Sequence, residues 1–244
     1  MQILTIFIFL FLFIFFCYRS YEKRKIIKSV PDLSRGESSE RDLIWRLVKE
    51  CGFNPKAIYH DLYLRKRNGN YAQIDLAMPT PQGIIVFEVK DYGGWIFGNE
   101  KSKYWMQIMA YGRERHQFYN PIKQNSSHID AIKELLPNNP DVLIFNVVVF
   151  YGRCVFKKLD YDNSGKTRVL YYSDLKRILP SIRNLAQCHY GNKMEVIKVL
   201  KEGVKNGSNP EIVRAHRDQV YSMCQNNKSY HTFNTMSSPF RIFR

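Results

Sequence analysis

With 244 residues, 45% of them hydrophobic and 14% aromatic, the chain can bury one sizeable core, which leaves no room for two large domains. A formal net charge of +15 exceeds what solubility requires and draws polyanions, either nucleic acid or an anionic lipid surface. The five cysteines, at 17, 51, 154, 188 and 224, are odd in number, widely spaced and free of any C-x-x-C pair, which argues against a zinc finger or a disulfide framework and for reduced thiols in a cytosolic domain.

From Ile3 to Cys17 only Thr5 interrupts a run of Ile, Leu and Phe. At ~1.5 Å per residue the run just spans a thin bilayer, so residues 1–18 read as a transmembrane anchor. A cleaved signal peptide is the competing reading, but no basic residue precedes the run, and Phe16, Cys17 and Tyr18 offer no small-x-small cleavage site. Arg19, Lys23, Arg24, Lys25 and Lys28 follow, against a single Glu22, and such a cluster holds its flank in the cytoplasm. The expectation is a single-pass membrane protein whose body faces the cytoplasm. The same cluster suits anionic headgroups.

Residues 19–34 read as a basic polar linker. In SSERDLIWRLVKECG, Leu43, Ile44, Leu47, Val48 and Cys51 fall at helical spacing, with a serine to cap the start and Gly52 the end, predicting a helix over 39–51. AIYHDLYLR, YAQIDLAM and GIIVFEVK follow as three strands, with turns at Asn68-Gly69-Asn70 and Pro79 to Gly83. No element is assigned to the aromatic and glycine-rich stretch around Tyr92 to Tyr104. NPIKQNSSHIDAIKELL opens with a helix-breaking proline and then keeps the 3.6-residue period through Ile129, Ile132, Leu135 and Leu136. VLIFNVVVFYG suits a buried strand, CVFKKL and TRVLYY read as further strands, and helices are expected near 174–188 and 192–203. Residues 151–204 extend a core at 35–150, and 205–244 form a basic tail whose last twenty residues are expected to be loosely ordered.

Side chains alternate along a strand, so Ile84, Val86, Glu88 and Lys90 share one face of IIVFEVK, while Gln73, Asp75 and Ala77 share a face of the preceding strand opposite to Ile74, Leu76 and Met78. A short turn makes the two strands antiparallel, and Asp75 lies beside Glu88 if the register allows. Two carboxylates and a lysine on an apolar strand pair are costly to bury without a partner, and Mg²⁺ or Mn²⁺ suits such hard oxygens. Glu40 borders the apolar stripe of its helix; as a plain first-turn residue it would complement the helix dipole. Glu37 stands three residues earlier, outside the predicted helix.

The series RGESSE at 35–40, QID at 73–75, FEVKDYGG at 87–94 and NPIKQN at 120–125 resembles the NERD, or nuclease-related, domain of the PD-(D/E)xK superfamily over roughly residues 35–150. Ser39 replaces the usual second glycine before the helix glutamate. The resemblance implies a restriction-endonuclease-like α/β core with a mixed central sheet flanked by helices. It implies a Mg²⁺-dependent nuclease acting on nucleic acid, DNA first. Asp75, Glu88 and Glu40, with the Val89 carbonyl, would hold the metal; Lys90 would orient or deprotonate a water; Gln73 and Gln124 would position water or phosphate. Alternative readings stay open. Glu88 and Lys90 suit an edge-strand ion pair, and Gln124 an exposed helix residue. Trp95, Tyr104 and Trp105 suit either base stacking or the core. Asp91 to Gly94 form a tight turn, and His116 and His128 read as ordinary residues. A catalytically idle module that binds nucleic acid or a protein at the membrane is the functional alternative.

Overall fold

The computed structural model describes residues 2–30, 37–163 and 165–226. Helix α1 (Gln2–Ser29) takes in the apolar run and continues through the basic stretch, so residues 19–29 of the expected linker extend the helix and residues 31–34 lie outside the described residues. Its window Thr5–Glu22 has a mean hydropathy of 1.6 and none of it is buried, and among the described residues it is the one helix long and apolar enough to cross a membrane. At the C-terminal end of that window α1 docks on α2 (Ser38–Lys49): Glu22 pairs with Lys49 at 2.7 Å and the Arg19 guanidinium sits 5.4 Å from the centre of the Trp45 ring.

Helix α2 begins one residue before the predicted start, with Glu37 and not a serine at its N-cap. Leu43, Ile44 and Leu47 are wholly buried, each stabilising the fold by about 1.5–3 kcal/mol. The three expected strands follow as β1 (Tyr59–Arg65), β2 (Tyr71–Thr80) and β3 (Gly83–Lys90), paired antiparallel in sequence order. The stretch left unassigned is strand as well: β4 (Gly94–Asn99), β5 (Tyr104–Met109) and β6 (Glu114–Tyr119). Helix α3 (Pro121–Glu134) starts on Pro121, with the Asn120 side chain accepting from the Ile122 and Lys123 N–H groups. Then come β7 (Ile144–Phe150), β8 (Cys154–Asp160), β9 (Thr167–Tyr171), α4 (Leu175–Arg183), α5 (Lys193–Gly207) and α6 (Pro210–Asn226). Residues 205–226 of the expected tail are thus largely helical, and its last twenty residues lie outside the described ones except at their very start.

The strands form two mixed sheets. The first runs β1-β2-β3-β7-β9, with β3, β7 and β9 parallel; the second runs β6-β5-β4-β8. One face of the first sheet packs Leu76, Met78, Ile85 and Phe87 against α2 and α4. The other packs Ile74, Ala77, Ile84 and Val86 against α3 and α5. The architecture is therefore α/β, with a mixed central sheet between helices. A third cluster joins the second sheet to the first through Ile96, Trp105, Phe118, Val148 and Phe150. Gly98 permits it, because a Cβ there would meet the Trp105 ring at 2.3 Å.

The alternation expected along β2 fails at one place. Ile74 and Leu76 lie on opposite sides of the sheet, although their spacing of two puts them on one. Asp61, opposite Asp75 in β1, adopts φ +49, and pairing passes from His60↔Leu76 to Leu62↔Ile74 without them. A left-handed residue in a strand breaks the pleat. The break falls at Asp61 and Asp75.

Candidate active site

The ladder between β2 and β3 ends at Leu76↔Phe87, so Asp75 and Glu88 occupy the next rung, where the strands part. Asp75 Oδ2 accepts the Val89 N–H at 2.7 Å. Glu88 follows Val86 onto the α3 side, and its Oε1 takes a hydrogen bond from Lys90 Nζ at 2.6 Å. Lys90 Nζ also donates to Gln124 Oε1, at 3.1 Å, from the first turn of α3. The expected grouping of Asp75, Glu88, Lys90 and Gln124 is therefore present. The edge-strand reading of the ion pair is corrected: β3 is the central strand, and the Lys90 and Glu88 side chains are only 9% and 2% exposed. Gln124 is an engaged residue and not a solvated one.

Glu40 reaches this region from α2. It is buried, its Oε2 lying 2.9 Å from His60 Nε2 and accepting the Glu37 N–H at 3.2 Å. Its charge raises both Asp75 and Glu88, while the Glu37 side chain caps α2 by accepting the Glu40 N–H. Gln73 donates to Asp61 Oδ1 at 3.0 Å, one residue pair away from the carboxylates.

The electrostatics follow from burial. Desolvation first, then the Glu88 and Glu40 carboxylates, hold Asp75 well above the usual carboxylate range. Desolvation also raises Glu88, against the pull of Lys90. Burial works against the charge on Lys90, but Glu88, Tyr92 and Asp75 outweigh it and keep the ammonium charged.

Two residues absent from the expected site stand beside it. His128, four residues after Gln124 on α3, places Nδ1 3.4 Å from Glu88 Oε2, and neither atom makes a hydrogen bond. Burial, then Lys90, push its pKa down to about 3, so the ring is neutral. The i, i+4 spacing from Gln124 was the available signal. Asp61 is the second, visible only once β1 is registered against β2. His116 lies 3.6 Å from Glu114 and outside the site. Where a tight turn was expected, Asp91 to Gly93 belong to no regular element and Gly94 opens β4; it has φ +75, and a Cβ there would meet the Ile108 carbonyl oxygen at 2.4 Å.

Among the described residues no three His, Cys, Asp or Glu side chains are gathered closely enough to hold a metal by themselves. The donor set nevertheless fits a hard divalent cation in part. Glu88 Oε2 is buried without a donor, and burial, then neighbouring negative charge, raises the pKa of Asp75, a cost that a cation between the two acids relieves.

Residues 35–151 match the nuclease-related domain, NERD. The chain carries a nuclease-related domain. An uncharacterized protein of Bacillus anthracis is 32% identical over 149 residues, a stretch covering 60% of this chain and 66% of that relative. Among solved structures, the 5-hydroxymethylcytosine-specific restriction enzyme AbaSI overlaps 89% of this chain and 51% of its own, at 11% identity and a TM-score of 0.22, too loose a likeness to argue from. The matched stretch thus runs from α2 to β7 and takes in the whole of the Asp75, Glu88, Lys90 and Gln124 grouping and β4, β5 and β6 of the second sheet.

Proposed function

We propose that this chain is a membrane-anchored, divalent-metal-dependent nuclease that hydrolyses phosphodiester bonds in DNA. The observation that carries the reading is the convergence of Asp75, Glu88 and Lys90 where β2 and β3 part, inside a nuclease-related domain on a chain of charge +15. A protein that only bound polyanions would gain nothing from two buried acids beside its ligand.

Asp75 and Glu88, with the Val89 carbonyl and with Glu40 behind them, are the oxygens that would hold Mg²⁺ or Mn²⁺. When bound, the ion supplies Lewis acidity toward the phosphoryl oxygen and a more acidic water. Lys90 is held by Glu88 and Gln124 with its ammonium charged, which suits it to offset charge developing on the phosphorus. Gln124 fixes the direction of Lys90, and His128 borders Glu88 as a neutral ring that adds no charge of its own. Gln73 supports Asp61 opposite Asp75, a positioning role in place of the water contact the resemblance implied.

Helix α1 would anchor the domain, with the basic cluster after Cys17 on the cytoplasmic side. The alternative, a catalytically idle binding module at the membrane, is favoured by one observation: Lys90 already neutralises Glu88. Incubating the purified full chain with plasmid and linear DNA plus Mg²⁺, Mn²⁺ or EDTA separates the two, since cutting that EDTA abolishes belongs to the nuclease alone.

A further inference from the structure

We propose that the outer face of the second sheet is a docking platform for single-stranded nucleic acid, a reading that rests on the nuclease assignment and adds where the substrate strand lies. The inner face of that sheet is core: Ile96, Trp105 and Phe118 are buried. The register sets Trp95 beside Ile108, Phe97 beside Met106 and Tyr104 beside Tyr119 on the opposite face, all of them part exposed. Among the described elements no helix packs extensively on this sheet. A face that presents Trp, Phe and two Tyr rings to solvent is unusual for a monomeric domain and marks an interaction surface.

Charge selects the occupant. The β4–β8 register shifts between Ile96 and Phe97, and this irregularity brings two successive lysines to the face. Lys157 Nζ lies 4.9 Å from the centre of the Trp95 ring, and Lys158 is the register partner of Phe97. Lys103 Nζ lies 5.3 Å from the Tyr104 ring centre, and Arg115 is the register partner of Ile108. Glu114 and Asp160 sit at the two ends of the sheet, so the middle of the face is basic. Aromatic rings interleaved with cations take unpaired bases by stacking and their phosphates by charge, whereas a duplex offers the rings nothing to stack on.

The hairpin between β5 and β6 extends this surface. Ala110 and Tyr111 both adopt left-handed backbone, φ +49 and +55, and Tyr111 is 97% exposed. Strained turns that hold an aromatic ring in water are retained for contact with something else. Its place also fits, because Trp95 at the same end of the sheet is five residues beyond Lys90. At about 3.4 Å per residue the separation is at most ~17 Å, short enough for one bound strand to reach both.

The test uses the full chain in detergent micelles, with Trp95→Leu, Tyr111→Ala and the double variant Lys157→Glu, Lys158→Glu. Binding to labelled oligothymidine, to the corresponding duplex and to phosphatidylglycerol vesicles is measured beside DNA cleavage and melting temperature. Oligothymidine should bind more tightly than duplex, and each variant should lose on the order of tenfold in oligothymidine affinity while still folding. Tyr111→Ala, at a fully exposed position, keeps the test decisive if Trp95→Leu fails to fold. Unchanged oligothymidine affinity in Trp95→Leu and Tyr111→Ala overturns the platform, as does a wild type that does not bind oligothymidine. Loss of vesicle binding with oligothymidine binding intact also overturns it and gives the face to the membrane. Duplex cleavage that persists in those cases leaves the nuclease reading standing; oligothymidine binding lost in the variants of a wild type that never cuts supports the platform and sinks that reading.

Discussion

Asp75 Oδ2 and the Val89 N–H are 2.7 Å apart, so the acid of β2 is bonded to the backbone of the strand that carries Glu88 and Lys90. The bond stands in for the ladder that stops one rung earlier, at Leu76↔Phe87. The Asp75 carboxylate is thereby fixed by main chain, and that of Glu88 by the Lys90 ammonium, at the point where the strands separate, a more rigid placement than loops would give.

The first consequence concerns pH. Asp75 sits above its ordinary value of 3.8 because of burial and the Glu88 and Glu40 charges. A raised folded-state pKa stabilises the protein below the unfolded value, and that stability is lost as pH rises through the folded value. In EDTA, wild type should therefore lose melting temperature relative to Asp75→Asn as pH climbs from about 4 toward neutrality. Mg²⁺ should restore it at neutral pH in wild type alone. Parallel curves for the two proteins would count against the coupling.

Asn125 should matter through structure. Its Nδ2 donates to the Val86 carbonyl and to Asn146 Oδ1, both at 2.9 Å, and Asn146 Nδ2 returns to Ile122 and Ser126 at 3.0 Å. This buried amide pair clamps the first turn of α3, and with it Gln124, onto β3 and β7. Asn125→Ala leaves acceptors unsatisfied and should cost roughly 1–3 kcal/mol, read from denaturant unfolding. A cost within error of zero would mean the clamp does not bear on the fold.

Much of this was legible before the fold was known. β1, β2, β3 and α3 could be read because each keeps a clean period, and the side of Glu88 and Lys90 followed from alternation alone. In the second sheet β8 was expected from CVFKKL, but β4 to β6 were not, because aromatic residues occupy both faces and period-two alternation disappears between Trp95 and Tyr119. The face assignment of Ile74 and Leu76 failed because one residue in β1, Asp61, takes a left-handed conformation that nothing in its own sequence neighbourhood announces. His128 was passed over because its partner, Glu88, is forty residues away in the chain.

Nucleic-acid binding should depend steeply on salt. A charge of +15 acts mainly through phosphate neutralisation, which releases counterions and lowers affinity as ionic strength rises. For six or more phosphate contacts the fall between about 50 and 200 mM salt is on the order of a thousandfold. A titration that stays flat would assign the basic balance to the membrane.

Membrane topology makes a separate prediction. With Arg19 near the end of the apolar window of α1 and Arg24 and Lys25 just beyond it, the domain should be digested by protease added to the cytoplasmic side of sealed vesicles. Digestion only from the opposite side would reverse the orientation.

The cleavage rate of Asp75→Asn in Mg²⁺, with DNA affinity measured on the same preparation, bears most directly on the nuclease assignment. Removing one acid removes a metal oxygen and also a negative charge facing the phosphates, so cutting and binding should move in opposite directions. Glu88→Gln should behave alike, whereas Lys90→Ala should stop cleavage, weaken binding slightly and cost about 3–5 kcal/mol by stranding Glu88 in the core. The expected result for Asp75→Asn is no Mg²⁺-dependent cutting with DNA affinity equal to or tighter than wild type. Mg²⁺-dependent cutting at the wild-type rate would contradict the assignment.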